Sequence, residues 1–239
     1  MREISPLRSI MLRLDHVAMR YGDGPEVLRD VNLALPPGDF VFLMGPTGSG
    51  KTSLLRLLGL LERPSHGTFT LLGRDVRGLE RDELAALRRR IGMVFQEVRL
   101  LDHLSAFDNV ALPLRINGGQ DDQIGASVSE LLAWLGLSAV IEAKPPGLSM
   151  GQRQLIGVAR AVIVRPSLLL CDEPTGNLDG KVARRLMHMF SQLRKLGTTV
   201  VVATHSADLV ARYPHPILRL DRGRLKRPVP APMAMAAAE

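Results

Sequence analysis

The chain holds one cysteine, one tryptophan and two tyrosines in 239 residues, and aromatic side chains make up only 4% of it. A single thiol, Cys171, excludes an internal disulfide and fits a reducing compartment. It stands inside an apolar run, so it reads as a buried, unreactive thiol. No apolar run approaches the length of a membrane-spanning helix, and the first residues lack the apolar centre of a signal peptide. The expected location is cytosolic, with membrane association only through another chain. Metal-ligand spacing is missing too: the histidines at 16, 66, 103, 188 and 215 stand apart. So are a zinc site, a long coiled-coil insertion and an aromatic-studded basic groove, which speaks against direct nucleic-acid binding. Positive charge is plentiful. Lys and Arg number 31 against 24 Asp and Glu, a net charge of +7 with a pI near 10.3. That excess suits an acidic partner, whether nucleotide, nucleic acid or anionic membrane, without choosing among them.

The most informative stretch is Gly45-Pro46-Thr47-Gly48-Ser49-Gly50-Lys51-Thr52. An apolar run, Phe40 to Met44, precedes it and an apolar-periodic run, Ser53 to Leu61, follows, so it reads as a strand-to-helix turn. Glycines at 45, 48 and 50 let backbone N–H groups wrap a polyphosphate, and the helix behind them presents its positive end. Lys51 then reaches the terminal phosphates, and the Thr52 hydroxyl is placed to ligate Mg²⁺. Leu168 to Cys171 is an unbroken apolar run, as expected of a central parallel strand, and ends in Asp172-Glu173-Pro174. Adjacent carboxylates on a strand point to opposite sides and can divide labour. Asp172 suits Mg²⁺, and Glu173 suits orienting and polarising an attacking water. A further buried strand, Thr199 to Ala203, ends at Thr204-His205. Gly45, Asp172 and His205 thus share the carboxyl ends of strands, where doubly wound sheets bind ligands, and His205 is expected to touch a γ-phosphate.

Along the rest of the chain, residues 1–10 read as an unanchored leader. Met11 to Met19 alternates like an edge strand, with Tyr21 at its end either stacking on an adenine or packing at the strand terminus. Val27 to Leu35 and Thr68 to Leu72 read as strands of a small antiparallel layer. Leu79 to Arg90 has a helical pattern, closed by Arg88-Arg89-Arg90 where cations suit the helix dipole. Ile91 to Phe95 reads as a strand ending at Gln96, whose amide can join a metal ion to a neighbouring loop. From Glu97 to Leu114 apolar residues follow neither period, which predicts a loop-like stretch that leaves a groove for another protein. Asp122 to Leu137 reads as an amphipathic helix with Trp134 in the core. Ser149 and Gln152 form a capping box that opens the next helix, a second anion-seeking terminus. A helix from Asn177 to about Leu196, a short one over 207–212, a strand over 217–220 and a final edge complete the pattern. The tail, Pro228 to Glu239, is Pro/Ala/Met-rich and expected to be disordered.

In order and spacing, the phosphate loop, Gln96, Leu148-Ser149-Met150-Gly151-Gln152, Leu168 to Glu173, Asn177-Leu178-Asp179 and His205 resemble the motifs of ABC-type ATPases over Leu12 to Leu225. Finer stretches are similar to those of the bacterial cell-division ATP-binding proteins (FtsE), with lipoprotein-releasing and macrolide-export ATPases as near relatives. These are Ile91 to Gln96, Asp108 to Leu114 and Asp172 to Asp179. The resemblance implies an α/β fold: one ATPase domain over 1–239, with a mostly parallel phosphate-loop NTPase core, a small antiparallel β layer and a helical subdomain inserted at about 97–165. It implies ATP and Mg²⁺, bound by Tyr21, the loop Gly45 to Ser53 and Gln96, with Thr52, Gln96 and Asp172 on the metal. Lys51, Glu173 and His205 become the catalytic set.

The family also implies a homodimer with ATP at the interface, in which Ser149, Gly151, Gln152 and Asp179 serve the nucleotide across a two-fold axis. An integral membrane permease subunit (FtsX-like) is the implied partner, and the cytoplasmic face of the inner membrane, at the division site, the implied location. Met150 departs from the pattern, which carries glycine there; Ser149 and Gly151 are still expected to make the main contacts, and slow hydrolysis would be consistent with the bulkier side chain. Lipoprotein or macrolide export is the alternative within the family. A soluble ATPase acting on nucleic acid and a nucleotide-gated scaffold without useful catalysis are the alternatives outside it.

Overall fold

The computed structural model describes residues 10–229; the expected leader and most of the expected tail lie outside them. The chain builds two sheets. The larger has six strands: β3 (Phe40–Met44), β6 (Ile91–Val94), β7 (Leu168–Asp172), β8 (Thr199–Ala203), β9 (Ile217–Asp221) and β10 (Arg224–Val229). Their order is β10-β9-β3-β8-β7-β6, all parallel except β10, which returns antiparallel along β9. The smaller sheet is antiparallel, in the order β2-β1-β4-β5, from β1 (Leu12–Arg20), β2 (Glu26–Leu35), β4 (His66–Leu71) and β5 (Arg74–Asp75).

Residue parity in the large sheet feeds two separate cores. Val41, Leu43, Leu168, Leu170, Val201 and Ala203 point into the core shared with the antiparallel sheet and with α1 (Lys51–Leu58). Their neighbours Phe40, Phe42, Leu169, Cys171, Val200 and Val202 point to the opposite face, where α6 (Gly180–Lys195) and α7 (Ala207–Arg212) pack. Both faces are covered, which is why these strands read as unbroken apolar runs. A third core joins α3 (Ala106–Ile116), α4 (Asp121–Trp134) and α5 (Met150–Val162). The helix expected over 79–90 is the shorter α2 (Arg81–Arg88). No helix of the described residues is long and apolar enough to cross a membrane.

Four expectations need correcting. β1 is not an edge strand: it pairs with β2 on one side and β4 on the other. Period-two alternation is the same at an edge and in an interior, and the second partner lies some fifty residues further on. Half of the stretch expected to be loop-like is α3, whose N-cap Ser105 accepts the Asp108 N–H at 3.0 Å. Trp134 is 43% exposed, because the buried stripe of α4 is Ile124, Val128 and Leu132, and the next but one residue falls outside it. Pro228 and Val229, assigned to a disordered tail, belong to β10. A groove does lie beside α3, walled by Leu112, Pro113 and Ile116 with Ile91, Met93 and Phe95 and by Arg88, Arg89 and Arg160, but of the apolar residues expected to line one only Leu112 does.

Candidate active site

Parallel strands aim their carboxyl ends one way, and here β3, β6, β7 and β8 bring four chain segments to a single cleft of about 450 Å³. Val27, Thr47, Gly48, Gly50, Lys51, Thr52, Ser53, Gln96, Asp172, Glu173 and His205 line it. The loop after β3 depends on its glycines. Gly48 and Gly50 have φ of +77° and +103°, and Gly50 in that conformation is the N-cap of α1. A Cβ on Gly45 would stand 2.2 Å from the Leu220 carbonyl and 2.7 Å from Ser49 Oγ. The Lys51 ammonium folds over this loop and donates to the carbonyls of Gly45 (2.8 Å) and Pro46 (3.1 Å). Ser49 Oγ is buried with no hydrogen-bond partner, a donor available to an anion seated in the loop. Gly45 and Pro46 do not line this cleft but face an adjoining depression with His205, Arg219 and Lys226.

At the end of β7 the two carboxylates separate as strand parity requires. Asp172 is buried and accepts the Thr52 hydroxyl at 2.6 Å. Burial raises its pKa, the nearby Glu173 charge adds to that, and the Thr52 hydrogen bond and Lys51 pull the other way. Thr52, Asp172 and Gln96 form an all-oxygen donor set suited to a hard cation, and the described residues hold no cluster of three or more His, Cys, Asp or Glu. That combination fits Mg²⁺, which keeps most of its water and leans on phosphates rather than on a protein cage.

The titration of Asp172 predicts a stability effect. Its folded pKa lies above the ordinary 3.8, so its contribution is fully present below that value and is lost as pH rises through the raised one. At neutral pH the buried charge therefore destabilises the ligand-free fold. Asp172→Asn, which can still accept from Thr52, is expected to melt a few degrees higher than the parent at pH 7, about 2–4 °C for each kcal/mol relieved. The difference should close in acid. Thermal melts of ligand-free protein across pH check this, and a lower melting point at pH 7 would contradict it.

Glu173 sits just past β7 with φ of +49°, a left-handed conformation that costs a non-glycine residue of order 1 kcal/mol or more. It is only 13% exposed, and both its oxygens are held. Oε1 accepts the backbone N–H of His205 (2.8 Å) and its ring Nδ1–H (2.7 Å); Oε2 accepts the Thr204 hydroxyl (3.1 Å). A carboxylate only accepts, so the His205 proton sits on Nδ1 and Nε2 faces outward on a ring that is 81% exposed. Cys171 is fully buried and its thiol is pushed well up by burial, as an unreactive thiol should be.

Other residues singled out in the sequence lie elsewhere. Ser149, Gly151, Gln152 and Asp179 are not in the cleft. Ser149 and Gln152 cap α5 reciprocally, with the Ser149 N–H on Gln152 Oε1 at 2.8 Å and the Gln152 N–H on Ser149 Oγ at 3.2 Å. Asp179 caps α6 by accepting the N–H groups of Lys181 and Val182, both at 2.9 Å. The two caps adjoin: the Cβ position of Gly151 is 3.2 Å from the Asn177 carbonyl. Met150 between them is 59% exposed. Tyr21 is 42% exposed and donates its hydroxyl to Ser53 Oγ at 3.1 Å, tying the end of β1 to α1. Sequence reasoning missed Val27, which nothing distinguishes from any other apolar strand residue. It also gave no role to Thr204, whose position beside His205 was the available signal.

Comparison with known proteins identifies the family. Residues 28–176 match the family model described as ABC transporter. The chain is 40% identical over 215 residues to the cell division ATP-binding protein FtsE of Escherichia coli K12, covering 90% of this chain and 97% of that one. It is 41% identical over 220 residues to the lipoprotein-releasing system ATP-binding protein LolD of Bordetella pertussis, covering 90% and 95%. Among solved structures it is similar to a dimeric post-hydrolysis state of the ATP-binding cassette MJ0796 bound to ADP and Pi, with a TM-score of 0.85, 33% identity, and 92% and 98% of the two chains covered.

Proposed function

Because the chain belongs to the ABC transporter family and is an ATPase of its ATP-binding cassette type, we propose that two copies close around two ATP molecules and drive an integral membrane partner in bacterial cell division. The observation that carries the division role is the 40% identity to FtsE across nearly the full length of both chains. Lipoprotein release is the second reading, favoured by an equal likeness to LolD. The partner is a permease subunit, FtsX-like on the first reading. The groove beside Phe95 and α3, lined by apolar side chains and by Arg88, Arg89 and Arg160, is a fitting seat for its cytoplasmic helix.

In this mechanism the phosphate loop and Lys51 hold the β- and γ-phosphates. Thr52, Asp172 and Gln96 hold Mg²⁺, which when bound neutralises charge on the phosphoryl oxygens. Glu173 takes the proton of the attacking water as its oxygen is freed from His205. The exposed imidazole turns to the γ-phosphate and stabilises the charge that develops there. From the second copy, Ser149 and Gly151 at the α5 N-terminus close over the same phosphate, with Asp179 and Gln152 shaping that end. Loss of the γ-phosphate removes the anion both copies hold, and the pair loosens. This explains why those residues form a patch away from the cleft. Tyr21 supplies a ring face for the base. The helices α3 to α5, at about 97–165, act as the arm that carries the second patch. The working location is the cytoplasmic face of the inner membrane.

Met150→Gly is expected to raise turnover, by up to about tenfold, since a bulky side chain between Ser149 and Gly151 holds the facing phosphate off its best position. Steady-state ATPase rates decide it; an unchanged rate means the side chain turns aside. The membrane role is tested by purifying the tagged chain from native membranes in mild detergent and identifying the integral protein that accompanies it. A partner with a small extracytoplasmic part favours division, and one with a large periplasmic domain favours lipoprotein release. Recovery without any membrane protein overturns both.

A further inference from the structure

Gln96 leaves the end of β6 into a stretch with no regular structure up to the α3 N-cap Ser105, so few contacts decide where its side chain lies. The nearest anchors are on α5. Val98 presses against Gly157, where an added Cβ would stand 2.6 Å from Val98 Cγ1. The Arg160 guanidinium donates to the Arg99 carbonyl at 2.7 Å. Further along, Asn109 of α3 pins Leu101 through both its N–H (2.9 Å) and its carbonyl (3.1 Å).

Arg160 is an unusual choice for such a tie. It is half-buried, burial lowers its pKa, and among the described residues no carboxylate pairs with it. A partly buried guanidinium on a packed helix that spends its hydrogen bond on one carbonyl is well placed to keep that carbonyl where it is. Its own base is rigid, because β6 and α5 meet so closely that a Cβ on Gly92 would stand 2.3 Å from the Ala161 carbonyl. Three residues of chain, at most about 10 Å, separate Gln96 from that fixed point.

We infer that Arg160 is a positioning residue: by holding the Arg99 carbonyl to α5 it fixes the loop that presents Gln96 to the Thr52–Asp172 metal seat. The inference rests on the reading of Gln96 as a metal ligand. It assigns the placement of that ligand to a side chain outside the cleft.

Hydrogen–deuterium exchange on the nucleotide-free, metal-free full chain tests the tie directly. Arg160→Ala should speed exchange by about tenfold at Leu101, whose N–H is the hydrogen-bonded one within 97–101, the loss expected for one charged hydrogen bond, while β6 and α5 keep their protection. The Mg²⁺ concentration giving half-maximal ATPase should rise by a similar factor, and Arg160→Lys, which keeps one donor, should recover part of both effects. Unchanged exchange at Leu101, or exchange that rises equally through α5 and β6, overturns the inference. Should Arg160→Ala fail to fold, Gly157→Ala carries the test. It should displace Val98 and reproduce the loosened loop, and Gly157→Ala with Val98→Ala should restore it; no rescue overturns the inference. Gln96→Ala runs alongside. If it shifts the Mg²⁺ dependence and Arg160→Ala does not, the positioning role is wrong and the ligand reading stands. If Gln96→Ala has no effect, the ligand reading is wrong, and a Mg²⁺ shift in Arg160→Ala would then overturn the route through Gln96 as well.

Discussion

Glu173→Gln should bind ATP and fail to turn it over. The amide can keep the existing geometry: its oxygen accepts from the His205 N–H groups, and its NH₂ meets the Thr204 hydroxyl, which rotates to accept. The left-handed backbone at 173 is left as it is. What disappears is the ability to take a proton, and turnover should fall by about 10²- to 10⁴-fold. With hydrolysis blocked, ATP stays between the copies, so a dimer should persist in size-exclusion chromatography with ATP and disperse without it. Hydrolysis at the parental rate would sink the assignment of Glu173 as base. A silent but monomeric protein would instead count against the shared-nucleotide arrangement.

Lys51→Ala acts one step earlier, on binding. The loop should survive the change, since the left-handed glycines, the Leu54 N–H to Gly50 carbonyl bond (2.8 Å) and the Gly223 N–H to Ser49 carbonyl bond (3.0 Å) hold it without the ammonium. Affinity for ATP should drop about 100-fold, the value of roughly two charge-assisted hydrogen bonds to phosphate oxygens. Calorimetry or a fluorescent analogue measures it, and a thermal melt of the ligand-free variant within a degree or two of the parent separates lost binding from lost folding. Equal affinity would mean that the loop is not where phosphate sits.

The parts of this site that follow the chain's local chemistry were legible beforehand. Glycine spacing before Lys51, an apolar run ending in Asp172-Glu173, and another ending near His205 each carry their own physical meaning. Parallel-strand geometry then forces them together. Properties set by distant partners were not legible. β1 looks the same whether one neighbour or two bind it. The helix α3 was hidden by Pro113 and a poor period, although Ser105 followed by Asp108 was a capping signal. Trp134 lies off the buried stripe that Ile124 starts. Asp179 and Gln152 do visible work as helix caps, which a motif reading alone does not separate from ligand contact.

The alternation of the large sheet has a consequence for error. Strand β3 sends Phe40 and Phe42 to one face and Val41 and Leu43 to the other. If β3 slid by one residue against β8 or β9, both phenylalanines would be forced among the close-packed leucines around α1, and two smaller side chains would leave voids opposite. The same slip would carry Gly45 about 3.3 Å along the strand axis, away from the Leu220 carbonyl that only a glycine can approach. The two cores therefore work as a checksum on chain alignment, and a molecule that has folded with both of them full already has its phosphate loop at the correct address.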